Sequence, residues 1–273
     1  MTVITLLTDF GEADGYVGTM KGVILGLAPG TPIVDLSHAI APQDVAAGAF
    51  VLGTAYPYFP PDTVHVAVVD PGVGSARRPL LLSTPRGRFI GPDNGLFSGV
   101  LAAEELVEAY HLDVPSYWLP VLSRTFHGRD IFAPCAAHLA RGVPAAALGS
   151  PVPLDGLVRL PAGALTLEGD TLEGQVMHID RFGNAVTNIP AALLAALGPV
   201  DAVIVTVGAH RLTGVYATYA DVDPGGSVAL IGSEGLLELA VRDGDGAREL
   251  GLRVGDAVVC RLRQPDESVE YAR

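Results

Sequence analysis

Apolar residues follow two rhythms along this chain, and the change between them falls near residue 150. In the first half, short apolar runs alternate with stretches of helical spacing. VITLLTD (3–9), PIVDLSH (32–38) and TVHVAVVD (63–70) predict strands, and the third is apolar on nearly every side chain. A run of that kind suits a strand buried on both faces of a sheet. GYVGTMKGVILGLAPG (15–30) has helical spacing and closes on Pro-Gly, and DVAAGAFVLGTAYPYF (44–59) predicts a helix capped by Asp44. LLLSTP (80–85) and RFIGPDNG (88–95) predict a hairpin-like pair. SGVLAAEELVEAY (98–110) reads as an amphipathic helix, and RDIFAPCAAHLARG (129–142) as another whose start is limited by Pro134. Alternating strands and helices predict an α/β, Rossmann-like domain around a mostly parallel sheet.

Residues 143–165 are rich in Pro, Gly and Ala and carry little periodicity. Beyond them the pattern becomes one of short strands: ALTLEG, LEGQVMHID, NAVTNI, DAVIVTVGAH, GSVALIG, LLELAVRD and DAVVCRLR, interrupted by one short helix, AALLAALG (191–198). This predicts a small β-barrel or sandwich. The expected organisation is an N-terminal α/β domain over 1–150, a linker over 151–165, and a C-terminal β-barrel domain over 166–273.

Composition narrows the class. Apolar residues make up 49% of the 273 and charged residues 17%, so a sizeable core is available and disorder is not expected. A net charge of −13 argues against a broad basic surface for nucleic acid and leaves room for a cationic ligand. Lys21 is the single lysine, so basic chemistry falls to arginine. Cys135 and Cys260 follow no metal or disulfide spacing and read as buried thiols in a reducing compartment. The first residues lack the basic region of a signal peptide, and no apolar run reaches the length of a membrane span. The expectation is a soluble cytoplasmic protein. A GxGxxG turn, a Walker lysine, a GxSxG elbow and an HExxH pair are all missing.

The candidate chemistry sits at strand ends. Asp9, Asp70 and Asp180 each close an apolar run and precede a Gly-containing loop. Any one of them reads most simply as a cap or turn residue. Three in similar places point to a polar ligand: ribose hydroxyls, an ammonium or a metal ion. In open α/β sheets, ligands bind just beyond such ends. The Gly-rich loop after Asp70 can fold an arginine, Arg77 or Arg78, back towards it. His127 lies before a helix and suits either a structural turn or a donor to water or an anion, a donor's part that Arg77 and Arg129 also suit. Asp35 and His38 are a weaker pair with no metal-ligand spacing around them. In HIDRFGNAVTNI, an aromatic followed by Gly-Asn suits a hairpin turn, or stacking on a planar base while the amide reads its edge. Ser233 and Glu234 form a turn, and Glu238 interrupts the apolar run LLELAV.

The ordered set TDFG, VDPGVGxxR, GPDNG, TFHGRD, DRFGN and the Ser-Glu-Gly turn resembles the S-adenosyl-L-methionine hydroxide adenosyltransferases, relatives of the fluorinase and chlorinase enzymes. The match runs from Thr8 to about Arg242. The resemblance implies hydrolysis of S-adenosyl-L-methionine to adenosine and L-methionine by attack of water or hydroxide at the ribose C5′. It implies a catalytic set of Asp70, Arg77 and His127, and a ribose contact from Asp9. It also implies substrate contacts from Asp180, Phe182, Asn184 and Ser233, with Glu238 and the backbone around Val241 on the adenine side. No metal and no cofactor is expected, the S-adenosyl-L-methionine being substrate. A homotrimer is implied, with active sites at subunit interfaces. The halogenases carry a tyrosine in place of Asp70, a serine near His127–Gly128 and an extra loop, so these departures disfavour halide transfer. The same residues also suit a non-catalytic binder of adenosine or S-adenosylmethionine, and the strand-end aspartates suit a metal-dependent phosphohydrolase.

Overall fold

The computed structural model describes residues 2–105 and 107–264. The chain forms two compact units, Met1–Leu160 and Pro161–Arg273.

In the first unit, β1 (Ile4–Thr8), α1 (Tyr16–Leu27), β2 (Ile33–Ser37), α2 (Val45–Ala55) and β3 (Val64–Val68) follow one another as the sequence pattern predicts. β4 (Pro79–Thr84) and β5 (Gly87–Pro92) form an antiparallel hairpin. After them come α3 (Ser98–Ala103), β6 (Glu108–His111), α4 (Ala133–Ala140) and the two-residue β7 (Ser150–Pro151). The sheet order is β2-β1-β3-β5-β4-β6-β7. The pairs β2·β1, β1·β3 and β3·β5 are parallel, while β5·β4, β4·β6 and β6·β7 are antiparallel. The parallel half is the Rossmann-like part.

Burial of the central strands follows their composition. Val64, Val66 and Val68 of β3 enter one core together with Met20 and Ile24 of α1 and Ala136 of α4. Ala67 and Val69 point the other way, against Leu52 of α2 and Val100 of α3. Such a strand has no solvent face, so it needs no alternation. Asp44 caps α2 by accepting from the Ala47 N–H at 2.9 Å.

The helix expected over 98–110 is not one element. It stops at Ala103, and Glu108–His111 becomes β6, paired with β4 through Leu82↔Ala109 and Leu80↔His111. Leu106, within that expected helix, lies outside the described residues. The outer edge of β4 needs a hydrogen-bonding partner, and this tertiary demand overrides a helical spacing that is only local. The start of the next expected helix is also altered: Gly128–Phe132 make a π-helical turn, and regular helix begins at Ala133. Residues 151–160 pack within the first unit, with Leu157 in its core and the Val158 N–H donating to Asp93 at 2.9 Å.

The second unit is an antiparallel sheet wound towards a barrel. It comprises β8 (Thr166–Glu168), β9 (Thr171–Ile179), β10 (Ala185–Pro190), α5 (Ala191–Leu197), β11 (Val203–Val207), β12 (His210–Thr213), β13 (Ser227–Ile231), β14 (Leu236–Val241), the one-turn α6 (Gly246–Glu249) and β15 (Ala257–Leu262). The order is β12-β11-β15-β9-β10-β14-β13, with β8 added on β9. A bridge between Tyr216 and Leu230 draws the segment after β12 towards β13. The expected single strand DAVIVTVGAH is a hairpin: Gly208, at φ +55°, turns β11 into β12. Leu172, Val176, Val205, Leu237 and Val258 fill the interior from four strands.

Candidate active site

Asp70 lies two residues beyond β3, the strand apolar on both faces. The loop that follows is folded by its own backbone: Val73 N–H donates to the Asp70 carbonyl at 3.2 Å, and Ser75 N–H to that of Gly72 at 3.1 Å. The Ser75 hydroxyl then accepts from the Arg77 N–H at 3.2 Å. Gly74 sits at φ +75°, and a Cβ there would fall 2.3 Å from the Arg124 carbonyl oxygen. Only glycine tolerates both the left-handed backbone and that approach. The loop therefore packs against 124–127 and turns Arg77 back over Asp70.

Arg77 grips the Asp70 carboxylate with two donors, Nε to Oδ1 at 2.9 Å and Nη2 to Oδ2. The side chains of the pair are 8% and 5% exposed. Fork-to-fork geometry of this kind fixes orientation as well as charge. Arg77 Nη2 also lies 2.9 Å from His127 Nδ1. A guanidinium only donates, so Nδ1 accepts, and in the neutral ring the proton resides on Nε2. Burial, with the Arg77 charge as the second cause, holds the His127 pKa below the ordinary histidine value, against smaller opposing effects of Asp70 and Asp130. Arg77 Nη1 is buried and makes no hydrogen bond among the described residues. The Phe132 ring packs beneath the guanidinium, 5.5 Å from Cζ.

Asp70 and His127 face a pocket of about 410 Å³ whose wall also includes Asp9, Gln43 and Phe126. Asp9 Oδ2 accepts from the Gln43 N–H at 2.7 Å, and Gln43 takes φ +68° to present it. Phe10, Tyr16 and Phe126 line one side, with centroids 5.3–5.9 Å apart and edge-to-face packing. Arg129 is not a pocket donor: its guanidinium binds Asp130 at 2.6 and 3.0 Å and lies over Phe126. Sequence reasoning gives no role to Tyr16 or Gln43. Only a fold that sets the start of α1 and the turn before α2 beside Asp9 selects them.

The second unit groups the remaining candidates. Asp180 Oδ1 accepts from the Phe182 and Asn184 N–H groups, both at 2.8 Å, and Oδ2 accepts from Asn184 Nδ2 at 3.0 Å. This closes the β9–β10 turn and leaves Phe182 76% exposed. Glu238, opposite Val186 and 4% exposed, accepts from the Tyr219 hydroxyl at 2.5 Å. Asn184 Nδ2 reaches the same hydroxyl at 3.5 Å. Tyr219 is thus a member that the sequence pattern does not reveal, from a short turn with no motif. Burial, then the neighbouring Asp180 and Glu234 charges, raise the Glu238 pKa even though the Tyr219 hydrogen bond lowers it. Ser233 donates to Glu234 at 2.9 Å in the β13–β14 turn. The Val241 side chain is buried, and its carbonyl accepts from Gly244 N–H at 3.1 Å.

Among the described residues, no group of three or more His, Cys, Asp or Glu side chains is placed to hold a metal ion, and no helix is long and apolar enough to cross a membrane.

Family models match both parts of the chain: the SAM hydroxide adenosyltransferase N-terminal domain over residues 4–149 and its C-terminal domain over 174–259. An (R)-S-adenosyl-L-methionine hydrolase of Thermus thermophilus is 44% identical, over 93% of this chain and 98% of its own. A fluorinase of Actinoplanes is 31% identical, over 68% and 71%. The solved structure of an uncharacterized conserved protein from Thermotoga maritima superposes with a TM-score of 0.89 at 35% identity, over 95% of this chain and all of that one.

Proposed function

The chain belongs to the SAM hydroxide adenosyltransferase family, and from that premise we propose that Asp70, Arg77 and His127 hold the attacking oxygen for its reaction. The enzyme hydrolyses S-adenosyl-L-methionine, as do relatives 41–44% identical to it. The observation that carries the residue assignment is the chain of contacts from Asp70 through Arg77 to His127 Nδ1 beside a pocket.

The oxygen attacks the ribose C5′, the C5′–S bond breaks, and its electron pair neutralises the sulfonium as methionine leaves. A neutral thioether needs no general acid. The difficulty is the nucleophile, because water is weak. With Nδ1 accepting from Arg77, neutral His127 offers an Nε2–H donor. Two donors, one cationic, favour hydroxide over water and hold it in line. In this tautomer His127 is not the base, and both Asp70 oxygens are committed to Arg77. The nucleophile is therefore hydroxide taken from solvent, its proton already in bulk water. Asp9 binds the ribose diol with its carboxylate. Asp180, Phe182, Asn184, Ser233, Glu238 and the Val241 backbone take the adenine and amino-acid ends.

The fluorinase relatives raise halide transfer as a second reading. Gly128 speaks against it, since a Cβ there would meet Met20 Sδ at 3.2 Å and the Phe126 ring at 3.4 Å. A serine, expected of the halogenases at this place, would require those two side chains to give by a few tenths of an ångström. The proposal extends to a homotrimer in the cytoplasm with no metal or cofactor requirement.

The test is to incubate purified protein with S-adenosyl-L-methionine and chelator and to follow adenosine and methionine by chromatography. The expected result is stoichiometric release of both, no halogenated nucleoside with added chloride or fluoride, and loss of turnover with retained adenosine binding in Asp70→Ala and His127→Ala. Full activity in both variants overturns the assignment. Sedimentation at micromolar concentration reads the trimer.

A further inference from the structure

A second polar chain, buried at one end, lies behind the pocket wall in residues that the reaction does not use. Lys21 of α1 donates to Asp35 Oδ2 of β2 at 2.5 Å. Asp35 Oδ1 lies 3.0 Å from His38 Nε2, an ion-pair distance without the alignment of a good hydrogen bond. His38 Nδ1 lies 2.9 Å from the Thr8 hydroxyl, and that hydroxyl accepts from the Phe10 N–H at 3.2 Å. The His38 carbonyl accepts from the Gly11 N–H at 2.8 Å. Thr8 is fully buried and His38 is 7% exposed.

One arrangement of protons lets every donor run the same way. The Phe10 amide donates to Thr8 Oγ1, which leaves the hydroxyl proton free for Nδ1. Nε2 then carries the ring proton towards the Asp35 carboxylate, which Lys21 neutralises. Burial acts to raise the Asp35 pKa, but the Lys21 and His38 contacts outweigh it and hold the carboxyl below its ordinary value. An aspartate, a histidine and a hydroxyl in this order resemble a nucleophilic triad. Thr8 has no exposed surface, so no substrate reaches it, and the arrangement serves position instead.

What it positions is the turn 8–11. Two of its residues, Asp9 and Phe10, face the pocket, and two of its backbone N–H groups, those of Phe10 and Gly11, are bound by Thr8 and His38. A turn leaving a buried strand has no ladder partner, so these contacts replace one. We propose that Lys21, Asp35, His38 and Thr8 form a positioning relay that fixes the Asp9 carboxylate for the ribose. Thr8 and His38 are thereby affinity-determining residues for S-adenosyl-L-methionine that never touch it. The inference rests on the assignment of Asp9 to the ribose.

The experiment compares steady-state kinetics and melting temperatures of Thr8→Val, Thr8→Ser, His38→Leu, Asp9→Asn and the Thr8→Val/Asp9→Asn double variant. Valine keeps the shape of threonine and removes the hydroxyl. The expected result for Thr8→Val is a rise of about three- to tenfold in KM, the worth of one buried hydrogen bond, with kcat within about twofold. His38→Leu should follow it, and Thr8→Ser should restore the parent KM. In the double variant the two effects on KM should fail to multiply, because Thr8 acts through Asp9. An unchanged KM in Thr8→Val, or effects that multiply, overturns the relay. So does a fall in kcat and melting temperature with KM unchanged, since that marks a merely structural contact. Should Asp9→Asn itself leave KM unchanged, the ribose assignment fails instead, and the two failures are told apart. If His38→Leu does not fold, the threonine pair still decides.

Discussion

Acid should destabilise the N-terminal unit in part through a buried histidine on the strand that carries the site. His65 of β3 is fully buried, with its ring stacked on Phe89 at a centroid distance of 5.0 Å. Nδ1 is 2.8 Å from the Thr5 hydroxyl, and Nε2 is buried without a hydrogen-bond partner among the described residues. Burial pushes its pKa down from 6.5 to about 4. The unfolded chain therefore binds a proton that the native protein refuses between these values. The stability His65 contributes is complete above the unfolded pKa and is lost as pH falls towards the folded one. By about pH 4.5 the loss is roughly 2.5 kcal/mol, since each pH unit in this window is worth about 1.36 kcal/mol. The double variant Thr5→Val/His65→Leu removes the titrating ring without orphaning the hydroxyl. Trp118, the single tryptophan, packs against the core that β3 shares with α1 and α4, so its fluorescence reports this unit. Urea denaturation of both proteins from about pH 7.5 to 4.5 gives the free-energy difference between them. It should move by roughly 2.5 kcal/mol in favour of the variant on acidification. His127 and His138 are also shifted downward and act in the same direction, but they are common to both proteins and cancel. A difference that stays constant to within about 0.5 kcal/mol across the series would show that His65 is not the acid-sensitive group.

Because the nucleophile is hydroxide, kcat should rise with pH until the site is saturated with it, and the profile should carry no separate break at the ordinary histidine pKa of about 6.5, because burial and Arg77 hold the His127 pKa below that value; a break there that is lost in His127→Ala contradicts the neutral-donor role. Gly74→Ala should lower kcat by about a hundredfold or more, as the Cβ displaces the loop from the Arg124 carbonyl and Arg77 with it. Its chromatographic turnover is compared with that of Gly169→Ala, whose Cβ has open space although its φ is also positive, at +57°. Phe182→Ala should raise KM about tenfold or more while leaving the melting temperature within about 2 °C, because an exposed ring stabilises a bound base and not the free chain; equal KM values would remove Phe182 from the site.

Legibility in the sequence tracks the range of the interactions. TVHVAVVD announces β3 because burial on both faces leaves its mark on every residue. Asp70 is visible for the same reason: it is where that run stops. The Asp44 cap and the hairpin of β4 and β5 are equally local. By contrast, VEAY reads as helix because nothing nearby says that β4 needs an outer partner. DAVIVTVGAH reads as one strand because Gly208 alone does not announce a reversal. Tyr219 is invisible, since its part is to connect Asn184 and Glu238 from a segment remote from both.

Local sequence sets the strand ends, the glycines that permit close loops, the change of rhythm between the two units and the ordered motifs that identify the family. These are properties of neighbours along the chain, governed by periodicity and by backbone freedom. The folded arrangement is needed to show that Arg77 and not Arg78 reaches Asp70, for Arg78 turns instead to Asp93 at 2.9 Å from Nε and 2.6 Å from Nη2. It is equally needed to show that His127 accepts at Nδ1 and is left with a donor, and that His38 buttresses the Asp9 turn. The last two outcomes depend on groups that meet across 50 and 30 residues of chain. Burial then removes water as a partner, so each buried donor must find its acceptor within the fold.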